Sequence, residues 1–485
     1  MIRLFDGDRT ATLDSDARVR RGSTSGNSEP YSAVVAMGSE KAINAGYTAA
    51  LDKNVPLIVV IDELAGTWES LGDLGSTVRH AVRHATFRLT VDDVDTINEY
   101  VGTDDFRHID GEILAQIPEL VRQAKDIWAR PAMVFHAPFE IPARANSASR
   151  VRPRKMREAF RATHRVIDLS GSPKDRARAY RELRALLRAG VRPEFAYSEN
   201  STQPNLFASP IKDGILPGLE TRIFRFLKKA GIPLGQFYRD VYWKFSDKTG
   251  SRRGIKASLY TAAYTYDVKL LESIGAHVFL PSIPMASYLP ELSRVSELPP
   301  GSEPVDSAQP EPLKLLYVGG LGPHYRLHLM IAAMAAHPNI TLTLCVPEAN
   351  WHNMRADYEP LPNNVVVRHE SGEGLRQLYD ETNAGVLFVE PDDYWGFAVP
   401  MKFYEYQAHG KAVVATAGTY AGKLATSAGI GEAIEYTADA IDELLGRWEA
   451  TPELVRAYTR EASMSRNEHT WESRARTVAE KLTSD

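Results

Sequence analysis

Residues 314–322, KLLYVGGLG, join an apolar strand directly to a glycine-rich turn. Glycines at such a turn let a ligand approach the backbone closely, although many tight turns have the same residues and bind nothing. Further strand-like segments follow at residues 341–346, 365–368, 385–389 and 412–415, with amphipathic helices between them. Strands alternating with helices of this length predict a parallel sheet covered on both faces. Residues 313–485 are therefore expected to form a Rossmann-like lobe with a helical tail.

The same alternation occurs twice more upstream. Residues 164–295 predict a second Rossmann-like lobe, and residues 1–145 an additional α/β domain, although residues 1 to about 30 are polar and predicted to be irregular or weakly paired. Residues 146–163 are interpreted as a partly helical connector, and residues 296–312, rich in Pro, Ser and Glu, as an unpacked linker. The predicted fold class is α/β, with two Rossmann-like lobes and an N-terminal α/β domain.

Composition narrows the classes of function. The 485 residues carry a net charge of -5, so a nucleic-acid partner would need a local basic patch. Such a patch exists at Lys248, Arg252, Arg253 and Lys256, although charge runs are more often solvated surface. The single cysteine, Cys345, excludes a disulfide framework or a cysteine-rich metal cluster. No apolar stretch or leader-like segment suggests a membrane or secretory route, so the expected compartment is the cytoplasm.

The most informative chemistry follows the strand at residues 385–389. Pro400 suits the first turn of a helix because its missing N–H is not needed there. Lys402 and Glu405 are three residues apart, so they share one helical face near the positive end of the helix dipole. A diphosphate there would meet free N–H groups and the Lys402 ammonium, and Glu405 would accept hydrogen bonds from ribose hydroxyls. Taken alone, the pair is better explained as a surface ion pair, but the glycine turn in the same lobe favours a ligand site.

Residues 400–414, PMKFYEYQAHGKAVV, resemble the donor-site helix and following strand of glycosyltransferase family 4-like proteins, which have the two-lobed GT-B fold. Residues 316–320 resemble the start of that family's C-terminal lobe, and the resemblance extends from about residue 164 to the C-terminus. It implies that Lys402 contacts the donor diphosphate and Glu405 the ribose. It also implies transfer of a sugar from a UDP- or GDP-sugar to a glycan, lipid-linked or small-molecule acceptor, with retention and without a metal or other cofactor.

Other residues are predicted to line the donor site around this helix. These donor-side candidates are Gly319, Gly320, His324, Arg239, Gly396, Phe397 and Ala398. His324 is equally compatible with a capping or surface role. The sequence departs from the family pattern at two places. Phe397 stands where a second acidic residue is common, and Gly320 and Tyr325 stand where an Arg/Lys pair is usual.

The acceptor side is expected in the lobe of residues 164–295. Asp240 is the first candidate for orienting or deprotonating an acceptor hydroxyl, although an internal ion pair with Arg239 is equally compatible. Glu199, beside Ser198 at another strand end, is the second catalytic candidate. Gly171 and Ser172 lie at a strand-to-helix turn where a phosphate can approach the backbone.

Two other classes of function stay open. One is a glycosyltransferase acting on modified nucleic-acid bases, and the other is a catalytically idle nucleotide- or sugar-binding module. No metal ligands are predicted, because no spacing typical of a dedicated metal site was recognised and the pair Asp392 and Asp393 is better explained as a solvated loop. The N-terminal domain is expected to serve acceptor recognition or assembly.

Overall fold

Apolar strands covered by helices recur along the whole computed structural model, which describes residues 2–6, 9–13, 32–37, 40–61, 76–90, 94, 106–109, 113–142, 148–207, 216–245, 255–322 and 325–484. The chain divides into a first unit of residues 1–237, 255–277 and 479–485, and a second unit of residues 238–254 and 278–478. His324, Lys248, Arg252, Arg253 and the side chain of Lys256 lie outside the described residues. No helix in the described ranges has the length and apolar character needed to cross a membrane.

The first sheet belongs to the first unit and has the strand order β2-β1-β3-β4-β5-β6. Its strands are β1 (Ile2–Asp6), β2 (Arg9–Leu13), β3 (Ala33–Met37), β4 (Leu57–Ile61), β5 (Phe87–Thr90) and β6 (Phe106–His108). Its helices are α1 (Glu40–Lys53), α2 (Ser76–His84) and α3 (Ile113–Trp128). Every neighbouring pair is parallel except β1 with β2, so an α/β domain is confirmed. The expectation of an irregular start is wrong for β1, which pairs with β3 over its full length and buries Ile2 and Leu4. The rest of that predicted irregular region, residues 14–31, lies outside the described chain.

Four parallel strands of the first unit form a second sheet in the order β10-β9-β7-β8. They are β7 (Ala132–His136), β8 (Arg165–Leu169), β9 (Ala196–Glu199) and β10 (Leu234–Phe237). The helices are α4 (Ala148–Thr163), α5 (Pro173–Arg188), α6 (Leu219–Lys229) and α7 (Ile255–Ile274). The structure differs from the prediction here, because β7 pairs with β8 and β9 rather than closing the N-terminal domain. The predicted connector is the regular helix α4, which buries Met156 and Phe160 completely.

The second unit contains the parallel pair β11 (His277–Leu280) and β12 (Val295–Glu297), apart from the first residue of β11, and a third sheet. The third sheet has β13 (Lys314–Val318), β14 (Thr341–Cys345), β15 (Val365–Arg368), β16 (Ala384–Leu387), β17 (Ala412–Thr416) and β18 (Gly431–Ile434). All its strands are parallel, in the order β15-β14-β13-β16-β17-β18.

Helices follow the strands of the third sheet as the sequence predicts. They are α8 (His328–Ala333), α9 (Glu348–Met354), α10 (Glu373–Asp380), α11 (Met401–Ala408), α12 (Tyr420–Ser427), α13 (Ala438–Ala450), α14 (Pro452–Ser465) and α15 (Trp471–Thr483). The predicted helical tail is thus three separate helices. The α/β class with Rossmann-like sheets is confirmed.

The segment after β12 is packed against the second unit, so the expectation of an unpacked linker is wrong. Leu298 is fully buried, and the Val305 N–H donates to the Ala408 carbonyl at 3.0 Å. The buried Lys411 donates its Nζ to the Ala308 carbonyl, and Gln309 donates to the Gly410 carbonyl at 2.9 Å. Each of these hydrogen bonds involves a backbone group, and together they hold in place a segment whose polar composition predicted solvent exposure.

Candidate functional site

The order of strands in the third sheet marks one position for a ligand. From β13, the chain adds β14 and β15 on one side and β16, β17 and β18 on the other. Ligands of doubly wound sheets bind beyond the carboxyl ends of the strands where the order reverses. The glycine turn follows β13, and residues 388–400 lead from β16 into α11. Both predicted donor segments therefore flank the switch point between β13 and β16.

One buried tyrosine fixes α11 to this switch point. The Tyr406 hydroxyl donates to the Leu316 carbonyl and accepts from the Val318 N–H, both at 3.1 Å. Its ring lies over Gly385 of β16, where any Cβ would overlap the ring. Glycine at this position is therefore what lets the helix approach the sheet. The face of α11 that carries Lys402 and Glu405 is left partly accessible.

Lys402 and Glu405 form a hydrogen-bonded ion pair on that face. The Lys402 Nζ donates to Glu405 Oε2, and the two side chains are 27% and 31% exposed. The Tyr379 hydroxyl donates to the same carboxylate oxygen at 3.0 Å, and its ring stacks on His409. The shared face is confirmed, while the roles toward a donor stay predictions. A nucleotide would have to displace the Lys402 contact, whereas Tyr379 would keep the Glu405 carboxylate in place.

The glycine turn after β13 is held firmly. The Gly319 N–H donates to the Cys345 carbonyl at 3.1 Å, and the Tyr317 hydroxyl donates to the Gly320 carbonyl. Asn350 accepts from the Leu321 N–H at 2.6 Å and donates to its carbonyl. A Cβ on Gly319 would lie 3.0 Å from the Tyr317 hydroxyl, so glycine is favoured there. The turn is ordered at the strand end, and donor contact by Gly319 and Gly320 stays a prediction.

The loop before α11 offers less to a donor than the sequence predicts. The N–H groups of Gly396, Phe397 and Ala398 donate to carbonyls of Asp392 and Tyr394 at 3.0–3.2 Å. These donors are used within the loop, so direct donor contact by these three residues has no geometric support. In the first turn of α11, the Phe403 N–H also donates within the chain, to the Pro400 carbonyl at 3.1 Å, so a ligand at this helix start would meet the N–H groups of Met401 and Lys402.

Phe397 is part of the core rather than a substitute for the missing acid. Its buried ring packs against Phe245, Tyr288 and Tyr394, with centroids 5.0–5.7 Å apart. Its carbonyl accepts from the Ser282 hydroxyl at 2.6 Å. The position that commonly carries a second acidic residue in the resembling family is therefore an anchor of the second unit.

Asp240 has a tyrosine partner within the second unit. The Tyr394 hydroxyl donates to Asp240 Oδ2 at 2.8 Å, and the Tyr242 ring stacks on Tyr394 with centroids 5.0 Å apart. Burial raises the pKa of Asp240 to about 7. The hydrogen bond from Tyr394 and, as the smallest of these effects, the charge of Arg239 lower this pKa. The predicted ion pair with Arg239 is thus a minor influence. A carboxyl group titrating near neutral pH is suited to proton transfer.

Glu199 lies in a different environment, inside the second sheet. It is 0% exposed, and its Oε1 accepts from Arg152 Nε at 3.1 Å and from the Tyr197 hydroxyl at 2.7 Å. Its neighbour Ser198 is also buried and contacts His136 Nδ1 at 2.8 Å. Strand β9 lies between β7 and β10, which explains the burial. The geometry gives the predicted catalytic role of Glu199 no support, because no face of the carboxylate reaches solvent.

The predicted phosphate contact at Gly171 and Ser172 is also unsupported. Ser172 is the N-cap of α5, and its hydroxyl accepts from the Asp175 N–H at 3.3 Å. The Asp175 carboxylate in return accepts from the Ser172 N–H at 3.2 Å. This capping box places a fixed carboxylate where a phosphate would approach. Gly171 has a φ of 111°, so its glycine is explained by the turn itself.

Arg326 is a residue that the sequence analysis missed. It pairs with Glu390 at 3.5 Å, and the side chains are 54% and 60% exposed. Arg326 follows the glycine turn and Glu390 follows β16, so both flank the switch point. The resembling family usually has an Arg/Lys pair at the positions of Gly320 and Tyr325, and Arg326 directly follows the second of these.

A cluster of potential metal ligands was also missed, in the first unit. His80, His84 and Glu182 have ligating atoms within 4.8 Å of one another. The signal in the sequence is a pair of histidines four residues apart, which places both on one face of a helix. The carboxylate comes from a distant segment, so no local spacing could reveal it.

No protein-family model and no curated protein matches this sequence. The structure is similar to sucrose-phosphate synthase from Thermosynechococcus elongatus, at 14% identity and a TM-score of 0.51, over 73% of this chain and 98% of that one. It is also similar to HepE of Anabaena in complex with UDP, at 12% identity and a TM-score of 0.50, over 73% of this chain and 100% of that one. The likenesses cover 98% and 100% of these two neighbours. The fold of the present chain is that of the GT-B glycosyltransferases, with an α/β domain added at the N-terminus.

Proposed function

We propose that this protein is a glycosyltransferase that binds a nucleotide sugar at the carboxyl edge of the third sheet. The observation that carries the proposal is the position of α11, with Lys402 and Glu405 on its accessible face at the switch point. The GT-B fold supports it, since HepE, which shares the fold, is described in complex with UDP. The donor is expected to be a UDP- or GDP-sugar, with no other cofactor.

Charge neutralisation at the diphosphate is assigned to this chain's own groups. The first-turn N–H groups of α11 and its dipole favour an anion, and Lys402 adds an ammonium group. Arg326 supplies a further cation from the other side of the switch point. Glu405, released from Lys402 and still held by Tyr379, would accept hydrogen bonds from the ribose. These groups stabilise the departing nucleoside diphosphate without a metal ion.

Proton transfer from the acceptor is assigned to Asp240. The acceptor hydroxyl attacks the anomeric carbon on the same face from which the phosphate oxygen leaves, as retention requires in a single step. As the bond to the phosphate oxygen breaks and the bond to the acceptor oxygen forms, the hydroxyl proton passes to the Asp240 carboxylate. Its pKa of about 7 leaves a substantial carboxylate fraction at neutral pH. Acceptors with a free hydroxyl on a glycan, a lipid-linked sugar or a small molecule fit this chemistry, and retention of configuration is proposed from the family resemblance.

One observation favours a catalytically idle binding module as the second candidate. Phe397 fills the position of the missing acid with a buried ring, so one family contact with the donor is lost. Such a module would bind a nucleotide sugar through α11 but would not transfer the sugar, so it would produce no free nucleoside diphosphate. Binding and turnover therefore have to be measured on the same preparation.

The test begins with thermal unfolding against nucleotides and nucleotide sugars, since a ligand that binds only the folded chain raises the Tm. Release of nucleoside diphosphate is then measured for the best donor with a panel of hydroxyl acceptors, with and without EDTA. We expect Glu405→Gln to lose the Tm rise and Glu435→Gln, an exposed glutamate, to keep it. No Tm rise with any nucleotide would remove the proposed donor site, and binding without turnover would establish the binding module. Loss of turnover in EDTA with rescue by Mg²⁺ would contradict metal independence.

A further inference from the structure

The first unit brings together two imidazoles and a carboxylate from helices that belong to two different sheets. His80 and His84 lie one turn apart on α2, which covers the first sheet, and Glu182 lies on α5 of the second sheet. His80 is buried, and its Nε2 is 2.8 Å from Glu182 Oε2. The His80 and His84 rings are 4.1 Å apart between centroids. All three ligating atoms lie within 4.8 Å of one another.

These distances come close to those between the ligands of a single small cation. Bonds from Zn²⁺ to imidazole nitrogen and carboxylate oxygen are about 2.0–2.2 Å, so two ligands of one ion lie at most about 4.4 Å apart. The 4.8 Å bound on the cluster is a few tenths of an ångström above that limit, so a small movement of the side chains would bring all three atoms into range. The 2.8 Å contact between His80 and Glu182 is a hydrogen bond, which the ion would replace. Two imidazoles with one carboxylate are a donor set for zinc and its first-row neighbours, whereas Mg²⁺ and Ca²⁺ prefer all-oxygen sites.

The surroundings of the cluster orient the ligands. The Tyr47 hydroxyl donates to Glu182 Oε2 at 2.6 Å. In His84, Nδ1 is 2.8 Å from the His80 carbonyl and Nε2 is 2.9 Å from the Asp168 carbonyl. A neutral imidazole has one N–H, so it can donate to only one of these two carbonyl oxygens. A metal ion on one nitrogen uses its lone pair and leaves the other as the N–H donor, which is the usual outer partner of a ligating histidine.

A small cavity adjoins the cluster and leaves room for a further ligand. It has a volume of about 80 Å³, and Tyr47, His84, Asp168 and Glu182 are among its lining residues. One water needs about 10–15 Å³ of such space together with polar partners, and this wall provides them. A water there would complete four-coordination around an ion held by three side chains.

We infer that His80, His84 and Glu182 form a binding site for one divalent first-row transition-metal ion, best matched by Zn²⁺, that joins α2 to α5. The ion would link the N-terminal sheet to the second sheet inside the first unit. Its expected role is to stabilise this packing, because an ion that binds only the folded chain shifts the equilibrium toward it. The site stands apart from the proposed glycosyl transfer, so either can fail without the other.

The test uses the full chain, purified without a polyhistidine tag and stripped of metal. Titration with Zn²⁺ in a calorimeter is expected to show one ion bound per chain, and thermal unfolding to show a Tm rise at saturating Zn²⁺. Co²⁺ is expected to give the strong visible absorption of a four-coordinate ion. His84→Ala and Glu182→Gln are each expected to weaken Zn²⁺ binding more than about a hundredfold, since even outer-partner changes cost about 10–100-fold.

Two further variants complete the design. Tyr47→Phe removes only the donor to Glu182 and is expected to weaken binding about tenfold. His352→Ala removes an exposed histidine of the second unit and is expected to leave binding unchanged. Thermal unfolding of each variant without metal shows whether that variant folds. If Glu182→Gln does not fold, the binding test rests on His84→Ala. Absence of one-to-one binding, or equal affinity in His84→Ala and the wild type, would overturn the site and leave a hydrogen-bonded contact between the two helices.

Discussion

Asp240 and Glu199 are carboxylates that follow neighbouring strand ends in the sequence, yet the molecule holds them in opposite ways. Glu199 is fully buried in the second sheet and forms an ion pair with the guanidinium of Arg152. Asp240 faces the neutral hydroxyl of Tyr394, and its burial raises its pKa to about 7. A carboxylate neutralised by a buried cation is committed to structure, whereas one bound by a neutral donor keeps the capacity to take a proton.

The strongest way to break this comparison is Asp240→Asn. It is expected to reduce glycosyl transfer by about 10²–10⁴, the usual contribution of general acid–base groups, while nucleotide binding stays the same. The measurement is turnover beside calorimetric nucleotide affinity. Equal loss of both would show that Asp240 is structural.

The same substitution has a signed effect on stability. The folded-state pKa of about 7 lies above the ordinary value of 3.8, so the folded chain holds the proton more tightly than the unfolded chain. This contribution is fully present below the unfolded pKa and is lost as pH rises through the folded value. At about pH 8 the Tm of Asp240→Asn should therefore equal or exceed that of the wild type, and a clear drop would contradict the assignment.

Glu199→Ala tests the other half of the comparison. Removing one partner of a buried ion pair strands the other charge, so we expect a loss of about 3–5 kcal/mol in the free energy of unfolding. Urea unfolding measures it, with Glu348→Ala, at an exposed position of α9, as the control. A stable Glu199→Ala protein without turnover would instead return Glu199 to the catalytic site.

Lys402→Ala sharpens the comparison by changing a charge that is accessible. A charge-assisted contact contributes about 1.5–3 kcal/mol, so nucleoside diphosphate affinity should fall about ten- to a hundredfold. Calorimetry should show little change for Lys423→Ala, an exposed lysine of α12. Unchanged affinity in Lys402→Ala would leave the Lys402 and Glu405 contact as a surface ion pair.

The smallest expected effect comes from Tyr394→Phe. The Tyr394 hydrogen bond lowers the pKa of Asp240, so its removal should raise that pKa further. Transfer requires the carboxylate, so the rising limb of the pH–rate profile should move to higher pH. A limb that stays in place would mean that the observed titration belongs to another group.

Local patterns predicted most of the third sheet but not the partners of its side chains. Buried parallel strands are mostly apolar, which made β13, β14, β15, β16 and β17 recognisable. The short β18 mixes polar and apolar residues and was missed. The glycine turn and the shared face of Lys402 and Glu405 are local features and followed from spacing alone.

Long-range contacts account for the rest. Tyr394 lies 154 residues from Asp240, and Arg152 lies 47 residues from Glu199, so local sequence could not distinguish the surroundings of the two carboxylates. The same holds for His80 and Glu182, which are 102 residues apart. Strand β7 likewise belongs to the second sheet because it pairs with β8 and β9, which its position in the chain does not reveal.

The division of the chain into its two units also bears on how the protein can be dissected. The chain passes from one unit to the other after residues 237, 254, 277 and 478, and none of these points lies in the polar segment that looks like a natural boundary. A fragment starting at residue 313 would keep Tyr394 and Phe397 but lose Phe245 and Tyr288, which cover them. Its aromatic rings would be left facing water. The third sheet with its helices is therefore a poor module for transplantation, and insolubility of such a fragment would be a consequence of the exposed rings rather than a property of the intact sheet.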